Sequence, residues 1–204
     1  MRLQPGAAAM GSGSMTRYAP GHKQETRARL VKLAADRLRG GGLSALSVAP
    51  LMAEAGLTHG GFYAHFKSRD ALAEEAISQL FAEALEAIDA IEARHGPQAL
   101  GRYQDYYLSP RHRDTHAGEG CPVPILSAEM RSAPPGIRAA FEKGLSALAD
   151  RLGQLTGPGG APLGRADALG LLGEMAGVLA LSRALSDPAR STQLLKGARK
   201  ALAA

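Results

Sequence analysis

Residues 56–72 read GLTHGGFYAHFKSRDAL, and their reading decides the fold. Thr58 is a helix-capping residue type, and the eight residues after it have the length of a short helix. Yet Gly60 and Gly61 stand side by side in the first turn, where each costs roughly 1 kcal/mol relative to alanine. Around them lie His59, Phe62, Tyr63, His65 and Phe66, with Lys67 and Arg69 just beyond. Two plain readings are a loop and a core helix with a loose start. The sharper reading is a backbone that must come close to something flat, polar and anionic.

The flanking sequence favours the sharper reading. Residues 23–39, KQETRARLVKLAADRLR, place Leu30, Val31, Ala34, Ala35 and Leu38 at helical spacing, with basic residues on the other face. GGGLSALS breaks that helix, and Ser47 caps a brief second one over about 48–55. Gly56 is a natural stop, and Thr58 opens a third helix ending near Phe66. Two short helices joined around a glycine form a helix-turn-helix pattern. Val48, Leu51 and Met52 are expected to face inward, and Phe62 and Phe66 to anchor the third helix.

Charge is concentrated in the same region. Residues 16–70 carry nine Lys/Arg against four Asp/Glu, whereas residues 71–204 carry fourteen against fifteen. A basic head on a near-neutral body fits a polyanion-binding module joined to a module with another task. Duplex DNA offers dense phosphate charge, with base edges recessed in the major groove. Glycines without side chains let a backbone approach those edges. On this reading Ser47, Thr58, His59, Gly60, Gly61, Tyr63 and His65 are candidate DNA contacts, and Lys67 and Arg69 clamp the phosphate backbone.

The stretch LSALSVAPLMAEAGLTHGGFYAHFKSRDAL resembles the DNA-binding head of TetR/AcrR-type bacterial regulators over roughly residues 23–72. The shared pattern is a short apolar helix, a glycine turn, a short helix ending in aromatic–Tyr–x–His–Phe, and a basic pair before a long helix. Arg69 stands where that pair usually has lysine. The resemblance implies a homodimer that binds double-stranded DNA at a palindromic operator and is released by a signal.

The rest of the chain reads as helices over about 70–94, 98–108, 123–132, 137–155, 165–185 and 189–202, with no strand pattern. The expected fold is therefore all-α with about nine helices. The expected organisation is a leader over 1–15, a head over 16–70, and a body over 71–204 for effector binding and dimerisation. Residues 109–122, SPRHRDTHAGEGCP, read as a polar loop. Gly170, Gly173 and Gly177 lie along one face of the 165–185 helix, with Leu169, Leu172, Leu179 and Leu181 on a broad apolar face. That helix and 137–155 are the expected dimer surface.

Residues 120–156 resemble the corresponding segment of the NemR-type, electrophile-sensing branch of the same family. The shared features are Gly-Cys, then Leu-Ser-Ala-Glu, Met-Arg-x-Ala and Lys-Gly. The resemblance implies that Cys121 is a reactive sensor. Its expected place at a helix start, near Arg111, His112, Arg113 and His116, would lower the thiol pKa. A buried, inert thiol is the alternative. The lysine that partners the cysteine in that branch has no counterpart over 180–184, where Arg183 is the nearest cation. Tyr103, Tyr107, Met130, Phe141 and Met175 are further candidate effector contacts, between helices.

The remaining signals are exclusions. One cysteine allows no intrachain disulfide, and no apolar run is long enough to span a membrane, so a cytoplasmic protein is expected. No cofactor, metal or catalytic motif is recognised. The rival from another class is a thiol enzyme using Cys121 with His112 or His116 as base.

Overall fold

The computed structural model describes residues 20–115 and 120–202. The leader over 1–15 and His116 lie outside the described residues. Among these, nine α-helices and four short 3₁₀ turns follow one another, with no strand beyond one isolated bridge between Thr156 and Pro162. The all-α expectation holds.

Helix α1 spans Pro20–Gly41 and α2 spans Val48–Glu54. Gly56, at φ +68°, ends the α2 turn in the left-handed conformation open to glycine. Helix α3, Arg69–His95, is capped by Ser68, whose hydroxyl accepts from the Ala71 N–H at 3.0 Å. It packs on α1 at one end of the molecule and along α7, Pro135–Gly153, in the body. The head's core is Leu30, Leu38, Leu51, Met52, Phe62 and Phe66, all buried. Phe62 stacks on Phe66 with centroids 5.7 Å apart, so the expected anchors are in place.

The α3–α7 crossing is the spine of the body. Ile77, Leu80, Phe81 and Ile88 of α3 meet Ile137, Phe141, Leu148 and Leu152 of α7 in one apolar core. Phe81 and Phe141 pack edge to face at 5.5 Å. Gly144 lies against the Phe81 ring: a Cβ there would overlap it, at 2.7 Å even from Cε2. Glycine here sets how closely the two helices approach.

Helix α4 spans Ala99–Tyr107, α8 spans Arg165–Ala184 and α9 spans Pro188–Leu202. Two expectations change in between. The polar loop contains a four-residue helix, α5, Pro110–Arg113, capped by the Ser109 hydroxyl accepting from the His112 N–H at 3.1 Å. The expected 123–132 helix is α only over Val123–Leu126, α6, and continues as turns to Ser132.

On α8, Leu172 and Leu179 are fully buried within the subunit, so only part of the anticipated apolar face points outward. Leu169 and Leu181 are exposed, and Gly170, Gly173 and Gly177 have open space where a Cβ would stand. Among the described residues no helix is long and apolar enough to cross a membrane.

Candidate nucleic-acid interface and body cavity

The segment after α2 is a 3₁₀ helix over His59–Ala64 rather than the expected α-helix. Its bonds close over three residues, Gly61 N–H to Thr58 O at 3.0 Å and His65 N–H to Phe62 O at 2.9 Å. Six residues with paired glycines in second and third place are too few to nucleate an α-helix, and the tighter turn suits short pieces. Such a segment has little macrodipole, so attraction of phosphates falls to side-chain cations.

Thr58, His59 and Gly60 are exposed on this segment, and Tyr63 is 67% exposed, an unusual place for so large a ring. Neither Gly60 nor Gly61 has positive φ. A Cβ at Gly60 would meet nothing within 4 Å, and one at Gly61 would make ordinary contacts with Thr58 Oγ1 at 3.5 Å and Met52 Cε at 3.7 Å. Among the described residues nothing requires these two glycines.

The other candidates divide. Ser47 stands at the start of α2, exposed, with no side-chain capping bond. Lys67 is exposed. His65 is half-buried, its Nδ1 is buried without a partner, and burial followed by the nearby Lys23 and Arg27 lowers its pKa. Arg69 differs from a free phosphate clamp: its Nε donates to Leu46 O at 2.8 Å and its Nη2 donates to Leu43 O. These bonds tie the start of α3 to the turn before α2.

In the body, a cavity of about 230 Å³ opens between α1, α3, α4 and the turn at Gly120–Cys121. Tyr103, Tyr107 and Cys121, three of the expected contacts, line it. Met130, Phe141 and Met175 do not; they are buried in the core between helices. Arg39, Glu83 and Tyr106 line it without having been anticipated. Arg39 could have been noticed, because it continues the Val31–Ala35 stripe of α1 by another four residues. It is buried, donates to Glu83, to Asp36 Oδ1 at 3.3 Å and to Gly120 O at 3.2 Å, and so carries a head helix into the cavity wall. A second tie runs from Glu129, whose Oε2 accepts from the Leu43 N–H at 2.8 Å. Gly42, at φ +67°, leaves room for that carboxylate; a Cβ there would lie 2.8 Å from Glu129 Cδ.

Cys121 is buried and precedes a helix of only four residues, so the expected helix-start effect is absent. Burial pushes its thiol pKa up, against smaller opposing effects from Tyr107, the Val123 backbone, Arg183 and Arg39. This corrects the expectation of a lowered pKa. Nor can His112 act as its base. His112 Nδ1 lies 2.9 Å from Tyr107 O, which only accepts, so Nδ1 carries the proton. Nε2 then accepts from the backbone N–H of Cys121 at 3.0 Å. Both ring nitrogens are used, and Arg183 bonds the His112 carbonyl at 3.1 Å. Among the described residues His112 is a staple joining the end of α4 to the cavity turn.

That staple has a pH signature. Burial lowers the His112 pKa to about 4 from 6.5. A group protonated more readily in the unfolded chain contributes stability that is complete above pH 6.5 and is lost as pH falls toward 4. Urea unfolding at pH 7 and pH 5 should differ by about 2 kcal/mol from this group, and His112→Gln should remove that difference.

The match to known proteins follows the head. Residues 30–76 match the model of the bacterial regulatory proteins of the tetR family. Over these residues the chain is similar to the DNA-binding head of that family. No curated protein matches it. Among solved structures, a TetR transcriptional regulator from Chloroflexus aurantiacus superposes with a TM-score of 0.71 at 24% identity, over 90% of this chain and 94% of that one. The reduced form of E. coli NemR gives 0.72 at 20% identity, over 87% and 95%. A TetR-family regulator from Agrobacterium tumefaciens gives 0.69 at 21%, over 88% and 98%. At these identities the likeness carries the fold. The described residues thus share the fold of these regulators, and the matched family segment falls on the basic head.

Proposed function

We propose that this chain is a homodimeric repressor of transcription that binds a palindromic operator and is released by a small molecule in the body cavity. The observation that carries the reading is the freedom of Gly60 and Gly61. They are costly in a helical turn, and among the described residues no positive φ or close neighbour calls for them. Space reserved on an exposed, basic head is explained by a partner that fills it. The contact set is Ser47, Thr58, His59, Gly60, Gly61, Tyr63, His65 and Lys67, with Arg69 bracing the turn beside it. The head over 16–70 reads the operator, and the body over 71–204 dimerises and senses.

The exposed Leu169 and Leu181 and the open glycine edge of α8 support dimerisation through α7 and α8. Two reading segments held in one dimer match half-sites about 34–36 Å apart. Arg39 and Glu129 supply the coupling, since each joins the head to the cavity side of the body. A ligand that favours a different arrangement of these ties shifts the dimer away from groove spacing, by no more than its preference for that state. Of the two signals expected, a bound small molecule is favoured over an activated thiol, because Cys121 is held protonated by burial.

Selection of bound sequences from random duplex DNA tests the reading. One palindrome should be recovered, with affinity falling roughly a thousandfold between about 50 and 200 mM salt. Recovery of no sequence overturns it. Repeating the selection with alkylated protein, with and without Cys121, separates a thiol signal from a non-covalent one.

A further inference from the structure

The part of the head that carries the candidate contacts is clasped at its base. Residues 47–68 run from Ser47, before α2, to Ser68, which caps α3. The chain enters this unit through the 3₁₀ turn Leu43–Ala45 and leaves it at Arg69. The Arg69 guanidinium joins the two ends: its Nε donates to Leu46 O at 2.8 Å and its Nη2 donates to Leu43 O. A guanidinium presents both donors in one rigid plane, which the single nitrogen of a lysine does not.

The body holds the same turn from the other side. The Leu43 N–H donates to Glu129 Oε2 at 2.8 Å, while the Leu43 carbonyl accepts from Arg69. Glu129 stands in the turns after α6 on a braced backbone. Its N–H donates to Leu126 O at 3.0 Å, and its carbonyl accepts from the Ser132 N–H at 3.1 Å. Gly42 keeps the carboxylate's place open. A Cβ there would overlap it, and the φ of +67° belongs to the region that favours glycine. Glu129, Gly42–Leu43 and Arg69 come from three separate stretches of chain, so their meeting is a property of the tertiary fold. The Arg39 tie differs, because it fixes the last turn of α1 to Gly120 and Glu83.

We infer that Glu129 is a positioning residue for the unit over 47–68, acting through Leu43 and Arg69; this rests on the reading of that unit as the operator contact. With the carboxylate in place, Leu43 is held and Arg69 keeps both carbonyls. The first turn of α3 and the 3₁₀ segment before it then stay in one arrangement. A shift in the turns that follow Cys121 and α6 reaches the head by this route.

Amide hydrogen exchange of the full chain, resolved by NMR, tests the inference without DNA. Glu129→Ala should speed exchange at Leu43 by about tenfold or more, through loss of a hydrogen bond to a charged acceptor. Exchange should also rise by about three- to tenfold at His65 and Phe66, which donate to Phe62 O, and at Ala71, which donates to the Ser68 hydroxyl. Amides of α7 should keep the parent's rates, since they open with the body core and not with the clasp. Glu129→Gln, which keeps an acceptor oxygen, should lie nearer the parent than Glu129→Ala. In Arg69→Ala the head amides should already be fast, and adding Glu129→Ala should change them little. Faster exchange at Leu43 alone, an equal rise throughout α7, or a full second increment in the double variant would each overturn the inference. Against a selected operator, Glu129→Ala should bind about tenfold more weakly, as for a reading arrangement populated about a tenth of the time; unchanged affinity would overturn the role in reading. Failure to find an operator removes the operator reading and leaves the exchange result standing. Unmoved head amides beside a recovered palindrome remove this inference alone.

Discussion

Replacing Gly60 with leucine is expected to lower operator affinity by at least roughly a hundredfold while leaving the fold intact. In the free chain a Cβ at this position meets nothing within 4 Å, and the backbone has no positive φ to strain. Removing a glycine from a helical turn should raise stability slightly, by about 0.5–1 kcal/mol. Against a DNA groove the same side chain occupies the space between backbone and base edges. It therefore removes base contacts, each worth about 1–3 kcal/mol of discrimination. Gly61→Leu should behave alike, since its nearest neighbours lie at ordinary contact distance. Weak, salt-sensitive binding to unrelated DNA should persist, because Lys67 remains exposed. Fluorescence anisotropy with the selected palindrome, set beside thermal unfolding of the same preparations, measures both quantities. Unchanged operator affinity in both variants would show that the segment does not enter a groove.

Gly144→Val should have the opposite profile: a loss of stability with no direct effect on DNA contacts. A Cβ at Gly144 overlaps the Phe81 ring, and that ring is itself held edge-on against Phe141 in the α3–α7 core. A small residue at a packed crossing cannot grow without moving a helix, and overpacking of this kind costs about 3 kcal/mol. For a domain of this size the midpoint should fall by roughly 6–12 °C. Scanning calorimetry of the full chain tests it; a midpoint within about 2 °C of the parent would mean that the crossing is looser than its geometry. Both substitutions enlarge a glycine, yet one is expected to act on a partner and the other on the core.

The head was legible because its residues obey local rules. Gly56 stops α2 in a left-handed turn, Phe62 and Phe66 anchor the 3₁₀ segment, and Ser68 caps α3. Each of these depends on neighbours within a few positions. The type of helix over His59–Ala64 was missed because propensity alone does not distinguish an α turn from a 3₁₀ turn in six residues. Helix α5 was missed although Ser109–Pro110 is a cap followed by a first-turn proline, because the surrounding polar residues dominate the pattern. The Lys143–Gly144 pair was visible as a likeness, but its packing role depends on Phe81, more than sixty positions away.

The cavity was legible only in part. Tyr103, Tyr107 and Cys121 were found, whereas Met130, Phe141 and Met175 lie in the core because apolar residues of similar type fill both places. The direction of the Cys121 pKa reversed because burial, a property of the whole fold, outweighs charges that are close only in sequence.

By itself, the sequence established an all-helical chain with a basic helix-turn-helix head, since periodicity, glycine stops, caps and the placing of charge are all local. Only the tertiary structure decided that Arg39 of the head enters the wall of the body cavity and that His112 bridges Tyr107 and Cys121. These features depend on which distant side chains share a low-dielectric interior, where pairing a buried polar group or charge outweighs any local preference.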